Sequence, residues 1–124
     1  IHLLGYKSGE DLQREVGNAR FTVLSSEWRE NMPYSGLESL AAQTPIIGAR
    51  IGGIPELVEE GKTGVTFESG DAVDLLNSMR KCSAVSASSY SAMQHSCREY
   101  VNARCLQNEY ALALVDLYER VIQR

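Results

Sequence analysis

Two glutamates eight residues apart, Glu30 and Glu38, stand in the segment Ser25-Ser-Glu-Trp-Arg-Glu-Asn-Met-Pro-Tyr-Ser-Gly-Leu-Glu38. A strand-like run, Phe21 to Leu24, enters this segment, and a helix is expected to begin near Pro33. A helix N-terminus presents unpaired N–H groups and a partial positive charge, so it can receive a phosphate. Glu30 falls just before that terminus. Glu38 falls about one turn inside it, on the side of Tyr34 and Leu37. Two carboxylates thus flank one anion site, and one can hold a sugar while the other holds a diol. The same spacing fits a plainer role, with Glu30 favouring the helix dipole and Glu38 as solvated surface. On spacing alone the two readings stand level.

A second stretch, Gly48-Ala-Arg-Ile-Gly-Gly-Ile-Pro-Glu56, places adjacent glycines between a strand and a helix start. Such glycines let backbone approach a ligand closely; a tight turn is the plainer role. The G-x-G-x-x-G spacing of a dinucleotide fingerprint is absent. Metal chemistry finds no support. Cys82, Cys97 and Cys105 show no CxxC spacing, His2 and His95 stand far apart, and there is no Asp-x-Asp. The odd cysteine count reads as reduced thiols in a cytoplasmic protein.

The elements that must carry these residues alternate. Ile1, Leu3 and Leu4 read as a first strand ended by Gly5, followed by a helix with Ser8 as cap, Asp11 in a weak capping box and Leu12, Val16 and Ala19 on one face. Phe21–Leu24 is a second strand, residues 34–43 a helix, and Pro45–Ala49 a buried-type strand, since Ile46 and Ile47 are adjacent. Pro55 suits the first turn of a short helix over 54–60, Gly61 ends it, and Val65–Phe67 is a fourth strand. From Asp71, a candidate N-cap, only helices are expected: one to about Cys82, a Ser-rich link, a second helix, and a last one. The last carries Leu106, Tyr110, Leu114, Leu117 and Val121 as one apolar stripe, whose ordinary role is core packing. Buried-type strands alternating with helices predict an α/β fold, a Rossmann-like parallel sheet flanked by helices with a helical C-terminal tail. Ligands of such sheets bind beyond the carboxyl ends of the strands. The loops Gly5–Ser8, Ser25–Pro33, Arg50–Pro55 and Glu68–Asp71 are therefore the ones that matter.

The chain has 124 residues, 44% apolar and 23% charged, which fits one soluble domain and excludes disorder by composition. Its net charge of −4 and its scattered arginines argue against a nucleic-acid partner. No apolar run approaches the ~20 residues that span a bilayer. Ile1, not Met, opens the chain on a strand-like run, so a piece of a longer protein is expected and no targeting signal is readable.

The two stretches together resemble the retaining glycosyltransferases of the GT-B fold, family 4 (group 1) type. Glu30 to Glu38 matches that family's E-x7-E motif, and Phe21-Thr-Val-Leu-Ser-Ser looks like the strand before it. Gly36-Leu-Glu-Ser-Leu-Ala-Ala-Gln-Thr-Pro-Ile-Ile resembles the helix and strand that follow, and Gly52-Gly-Ile-Pro-Glu-Leu-Val-Glu-Glu-Gly-Lys-Thr-Gly64 resembles the family's glycine-pair stretch. Leu4-Gly-Tyr resembles its strand end. The likeness is dense over residues 1–75 and loose in the tail; E-x7-E alone is a weak signal, the ordered set a strong one.

The resemblance implies a two-domain enzyme that moves a hexosyl unit from a nucleoside-diphosphate sugar to a glycan, lipid or small-molecule acceptor. Residues 1–124 would be a single partial C-terminal, donor-binding domain, with a strand–helix core over about 1–70 and a helical tail over about 71–124. Glu30 would be the catalytic-site carboxylate facing the donor hexose. Asn31, Met32, Pro33 and Tyr34 would line sugar and diphosphate, Glu38 would hold the ribose hydroxyls, and Gly5, Tyr6 and Lys7 would meet the base. No metal and no cofactor beyond the donor is implied. The acceptor domain of the same chain would be the partner. Peripheral membrane association of the full-length enzyme is compatible with this, as is a dimer through any exposed part of the last helix. The piece alone is expected to be inactive.

Three departures qualify the resemblance. Asn31-Met-Pro33 replaces the frequent Gly-Phe-Gly after the first glutamate; Pro33 lacks an N–H, and Asn31 adds a side-chain amide. Gln43 stands where Gly is usual, which predicts a different helix ending. The family's diphosphate-clamping Arg and Lys would precede Ile1; Arg29, Arg50 and Lys62 are the loop cations here. Two other functions fit the same residues: a GT-B sugar-nucleotide epimerase, and a non-catalytic nucleotide- or protein-binding module.

Overall fold

The computed structural model describes residues 1–105 and 107–123. Helix α1 spans Gly9–Asn18, strand β1 Thr22–Leu24, helix α2 Tyr34–Ala41, strand β2 Ile46–Ala49, helix α3 Ile54–Leu57 and strand β3 Gly64–Phe67. Helices α4 (Ala72–Ser83), α5 (Ala87–Arg104) and α6 (Gln107–Ile122) follow. The three strands form one parallel sheet in the order β1-β2-β3, with Val23 opposite Ile47 and Ile47 opposite Val65. This is the expected α/β architecture.

Strand β2 is buried on both faces because it lies between its neighbours and under helices on either side. Ile46 points into a cluster with Leu40 of α2, Leu57 of α3 and Cys97 and Tyr100 of α5. Ile47 and Ala49 point the other way, to Ile54, Phe67 and Cys82 of α4. The period-2 alternation of the strand thus feeds two cores, and the adjacent isoleucines are its signature.

Asp71 caps α4 as expected, its Oδ1 accepting from the amides of Val73 at 2.9 Å and Asp74 at 3.0 Å. Ser86 caps α5 through the amide of Ser89. The Ser-rich stretch is therefore mostly the first turn of α5 and not a linker. Ser8 precedes α1 without a side-chain cap, and Asp11 pairs with Arg14 at 2.5 Å instead of closing a capping box. The predicted helix over 54–60 is shorter, ending at Leu57.

Gln43 corrects an expectation. Helix α2 ends as a glycine-terminated helix would, with Gln43 at φ 60°, its amide bonded to the Leu40 carbonyl at 3.0 Å and the Thr44 amide to Ser39 at 2.9 Å. These two bonds are the Schellman pattern, and they hold a side-chain-bearing residue where Gly is cheaper.

Two further expectations fail. Residues 1–4 form no strand: Ile1, Leu3 and Leu4 are exposed, and β1 is the sheet edge. A strand exists only through its partner's hydrogen bonds, and among the described residues nothing pairs with this run. The last helix does not bury its stripe. Tyr110, Leu117 and Val121 are 71%, 50% and 60% exposed and Leu114 is half-buried, so the stripe is not packed into a core in this chain; Leu106 lies outside the described residues.

Candidate functional site

The carboxyl ends of the three strands open into three loops, and the structure joins them around Glu30. The β1–α2 loop, residues 25–33, carries Ser26 and Glu30. The β2–α3 turn carries Gly52 and Gly53, and the β3–α4 loop carries Ser69. The Gly53 amide donates to the Glu30 carbonyl at 2.7 Å. A Cβ on Gly53 would stand 1.7 Å from the Asn31 carbonyl oxygen, and one on Gly52, at φ 56°, 2.4 Å from that of Glu30. The glycine pair does permit a close backbone approach, as its sequence suggests. What approaches is the chain's own Glu30–Asn31 backbone.

Ser26 Oγ donates to Glu30 Oε1 at 2.5 Å, and Ser69 Oγ donates to the Ser26 carbonyl at 3.0 Å. Glu30 and Ser26 are both half-buried. Neither serine is among the site residues that the sequence points to. The signal for Ser26 was its place four residues before Glu30; Ser69 left no local sign.

Asn31, Met32 and Tyr34 are exposed at the head of α2, whereas Pro33 is buried. The Pro33 carbonyl accepts from the amides of Gly36 at 3.0 Å and Leu37 at 3.4 Å. Among the described residues, the amides of Tyr34 and Ser35 meet no backbone acceptor, so two N–H donors remain at the helix head. Pro33 contributes no donor to that set.

Glu38 is exposed one turn on, along a groove of about 580 Å³ between α1 and α2, with Gly9, Leu12, Val16, Ala41 and Arg98 among its walls. Glu30 does not line this groove. A second, open hollow of about 420 Å³ is formed by Val23–Trp28 at the end of β1. Glu30 thus sits in the loop after β1, and Glu38 lines the groove beside α1. Gly5 and Tyr6 are exposed and Lys7 is half-buried, and none of the three lines the Glu38 groove. Of the loop cations, Arg50 faces Asp74 at 4.0 Å and Lys62 faces Glu59 at 3.6 Å. Among the described residues no cluster of three or more His, Cys, Asp or Glu is arranged to hold a metal.

A three-strand parallel core with a reinforced acidic loop at its carboxyl ends defines a Rossmann-like unit, and ligands of such sheets bind at that end. The family model for glycosyl transferases group 1 matches residues 1–104, and the chain belongs to that family. It is 33% identical to the sulfoquinovosyl transferase SQD2 of Arabidopsis thaliana over an alignment of 79 residues, and the match covers 61% of this chain and 15% of that protein. Sucrose-phosphate synthase from Thermosynechococcus elongatus superposes with a TM-score of 0.77 at 25% identity, over 88% of this chain and 27% of that one. Anabaena Alr3699/HepE, solved in complex with UDP-glucose, superposes with a TM-score of 0.77 at 20% identity, over 91% of this chain and 31% of that one. The chain thus spans less than a third of each of these proteins. Among the described residues no helix is long and apolar enough to cross a membrane.

Proposed function

We propose that this chain is part of the C-terminal, donor-binding domain of a retaining GT-B glycosyltransferase that transfers a hexosyl unit from a nucleoside-diphosphate sugar. The carrying observation is the arrangement at α2. Glu30 is reinforced at the sheet's carboxyl ends, two free amides lie at the helix head, and Glu38 lies one turn on. Family membership and the UDP-glucose complex of the fold neighbour HepE support a nucleotide-sugar ligand.

In this reading the roles divide along the helix. Glu30 meets the donor hexose, and Asn31, Met32, Pro33 and Tyr34 line sugar and diphosphate. Glu38 accepts from the ribose hydroxyls, and Gly5, Tyr6 and Lys7 meet the base. Negative charge grows on the leaving diphosphate as the glycosyl bond breaks, and the fixed Tyr34 and Ser35 amides are placed to stabilise it. The transfer uses no resident metal or cofactor. Residues 1–70 act as the donor core and 71–124 as its helical support, with the acceptor held by another domain of the same cytoplasmic enzyme.

The test is titration calorimetry of the full-length protein with UDP, GDP and ADP and their glucose or mannose conjugates. Glu38→Ala weakens diphosphate and conjugate alike, by roughly tenfold to a hundredfold, the worth of a hydrogen bond to a charged group. Glu30→Ala weakens the conjugate and spares the bare diphosphate. If the two variants behave identically across the ligand pair, the role assignment is wrong.

A further inference from the structure

Glu30 is held at both of its ends. Its carbonyl accepts from the Gly53 amide, and its Oε1 accepts from Ser26 Oγ. Ser26 is held in turn, since its carbonyl accepts from Ser69 Oγ. The three supports come from the loops after β1, β2 and β3, adjacent strands of one sheet. Among the described residues Oε2 of Glu30 takes no protein hydrogen bond. A carboxylate offers about four acceptor positions, so the Ser26 bond occupies one and leaves the far oxygen for a ligand. A free glutamate side chain must lose its rotamer freedom when it binds, and a tether made in advance removes much of that loss.

We propose that Ser26 is a positioning residue for the donor sugar: its hydroxyl holds one oxygen of Glu30 so that the other is presented to a hexose hydroxyl, and Ser69 holds Ser26 in place. The inference rests on the reading of Glu30 as the hexose-facing carboxylate. A bond that served only to staple the loop would act on stability and would touch all ligands equally. A positioning bond separates the ligands, because the diphosphate has no contact with Glu30. It also separates kcat from KM, since the sugar's orientation matters most as the glycosyl bond breaks.

The experiment uses the full-length protein with Ser26→Ala, Ser26→Thr and Ser69→Ala, titrated with UDP, UDP-glucose, GDP and GDP-mannose. Ser26→Ala is expected to leave the bare diphosphate within about twofold of wild type, to weaken its sugar conjugate roughly tenfold, and to lower turnover mainly through kcat. Ser26→Thr keeps the hydroxyl and restores both. Ser69→Ala shifts the conjugate in the same direction by less. Equal weakening of diphosphate and conjugate, or wild-type discrimination in Ser26→Ala, overturns the inference while leaving the donor-binding reading intact. If Ser26→Ala does not fold, Ser69→Ala decides alone by the same selective loss. Wild-type protein that binds none of these four probes and neither ADP nor ADP-glucose overturns the donor-binding reading, and the inference falls with it.

Discussion

The amide of Gly53 points at the carbonyl of Glu30 and bonds to it at 2.7 Å, which ties the turn after β2 to the loop after β1. The approach is so close that neither glycine of the pair has room for a side chain. A glycine turn that would ordinarily be read as a place for ligand is thus a brace for the residue expected to meet the ligand.

Gly53→Ala is accordingly expected to be costly. Its methyl would overlap the Asn31 carbonyl, so backbone must move, and overpacking of this kind costs about 1–3 kcal/mol or more. The movement displaces Glu30 and Asn31 together. Gly17→Ala, with no atom within 4 Å of its new methyl, is the control. Chemical denaturation of both, beside their sugar-nucleotide affinities, checks this; unchanged behaviour of Gly53→Ala would show that the brace does not matter.

The core predicts an asymmetry between two leucines. Leu40 is fully buried between α2, β2 and α5, and Leu40→Ala should destabilise by about 2–5 kcal/mol. Leu117 on α6 is half-exposed, and Leu117→Ala should lie within about 0.5 kcal/mol of the parent. Urea midpoints measure both. A large loss at Leu117 would mean that the α6 stripe is covered in solution.

Asp71→Ala removes the acceptor of two amides at the start of α4 and should cost about 1 kcal/mol. Asp71→Asn keeps a side-chain oxygen and should recover most of it. Thermal unfolding that is equally low in both variants would assign the loss to charge and not to the cap.

Cys97 predicts the alkaline behaviour. Burial pushes its thiol from the ordinary 9.0 up to about 12, and Cys82 is raised as well, chiefly by burial. The folded protein holds the Cys97 proton when the unfolded chain has released it. The stabilisation is therefore complete below about pH 9 and is lost as the pH rises toward 12. Denaturation midpoints should fall between pH 8 and pH 10.5, and Cys97→Ala should flatten that fall. An iodoacetamide pulse at pH 8 should modify exposed Cys105 well before Cys82 or Cys97.

Much was legible in the residues alone because it is local. The adjacent isoleucines of β2 announce a strand buried on both faces, Asp71 announces a helix start, and Glu30 and Glu38 straddle the head of α2. Each depends on neighbours a few positions away along the chain, which periodicity and capping chemistry capture. Ile1–Leu4 shows the limit of that reasoning. The run has strand composition, but a strand is a relation to a partner, and composition names no partner.

What the residues determine by themselves is thus the alternation of elements, the burial of β2 and the placement of two carboxylates about one helix start. Tertiary structure alone decides the rest. Ser69 and Ser26 stand 43 positions apart, and Gly53 meets Glu30 only because β1 and β2 are parallel neighbours whose ends open on the same side. The same holds for the surroundings of the two glutamates: Ser26 bonds to Glu30, and α1 packs beside Glu38 to form a groove. It holds for the α6 stripe too, whose spacing is that of a core helix and whose exposure depends on what lies beside it. Contacts between segments distant along the chain leave no periodicity to read, since they arise from the way the sheet brings its loops together.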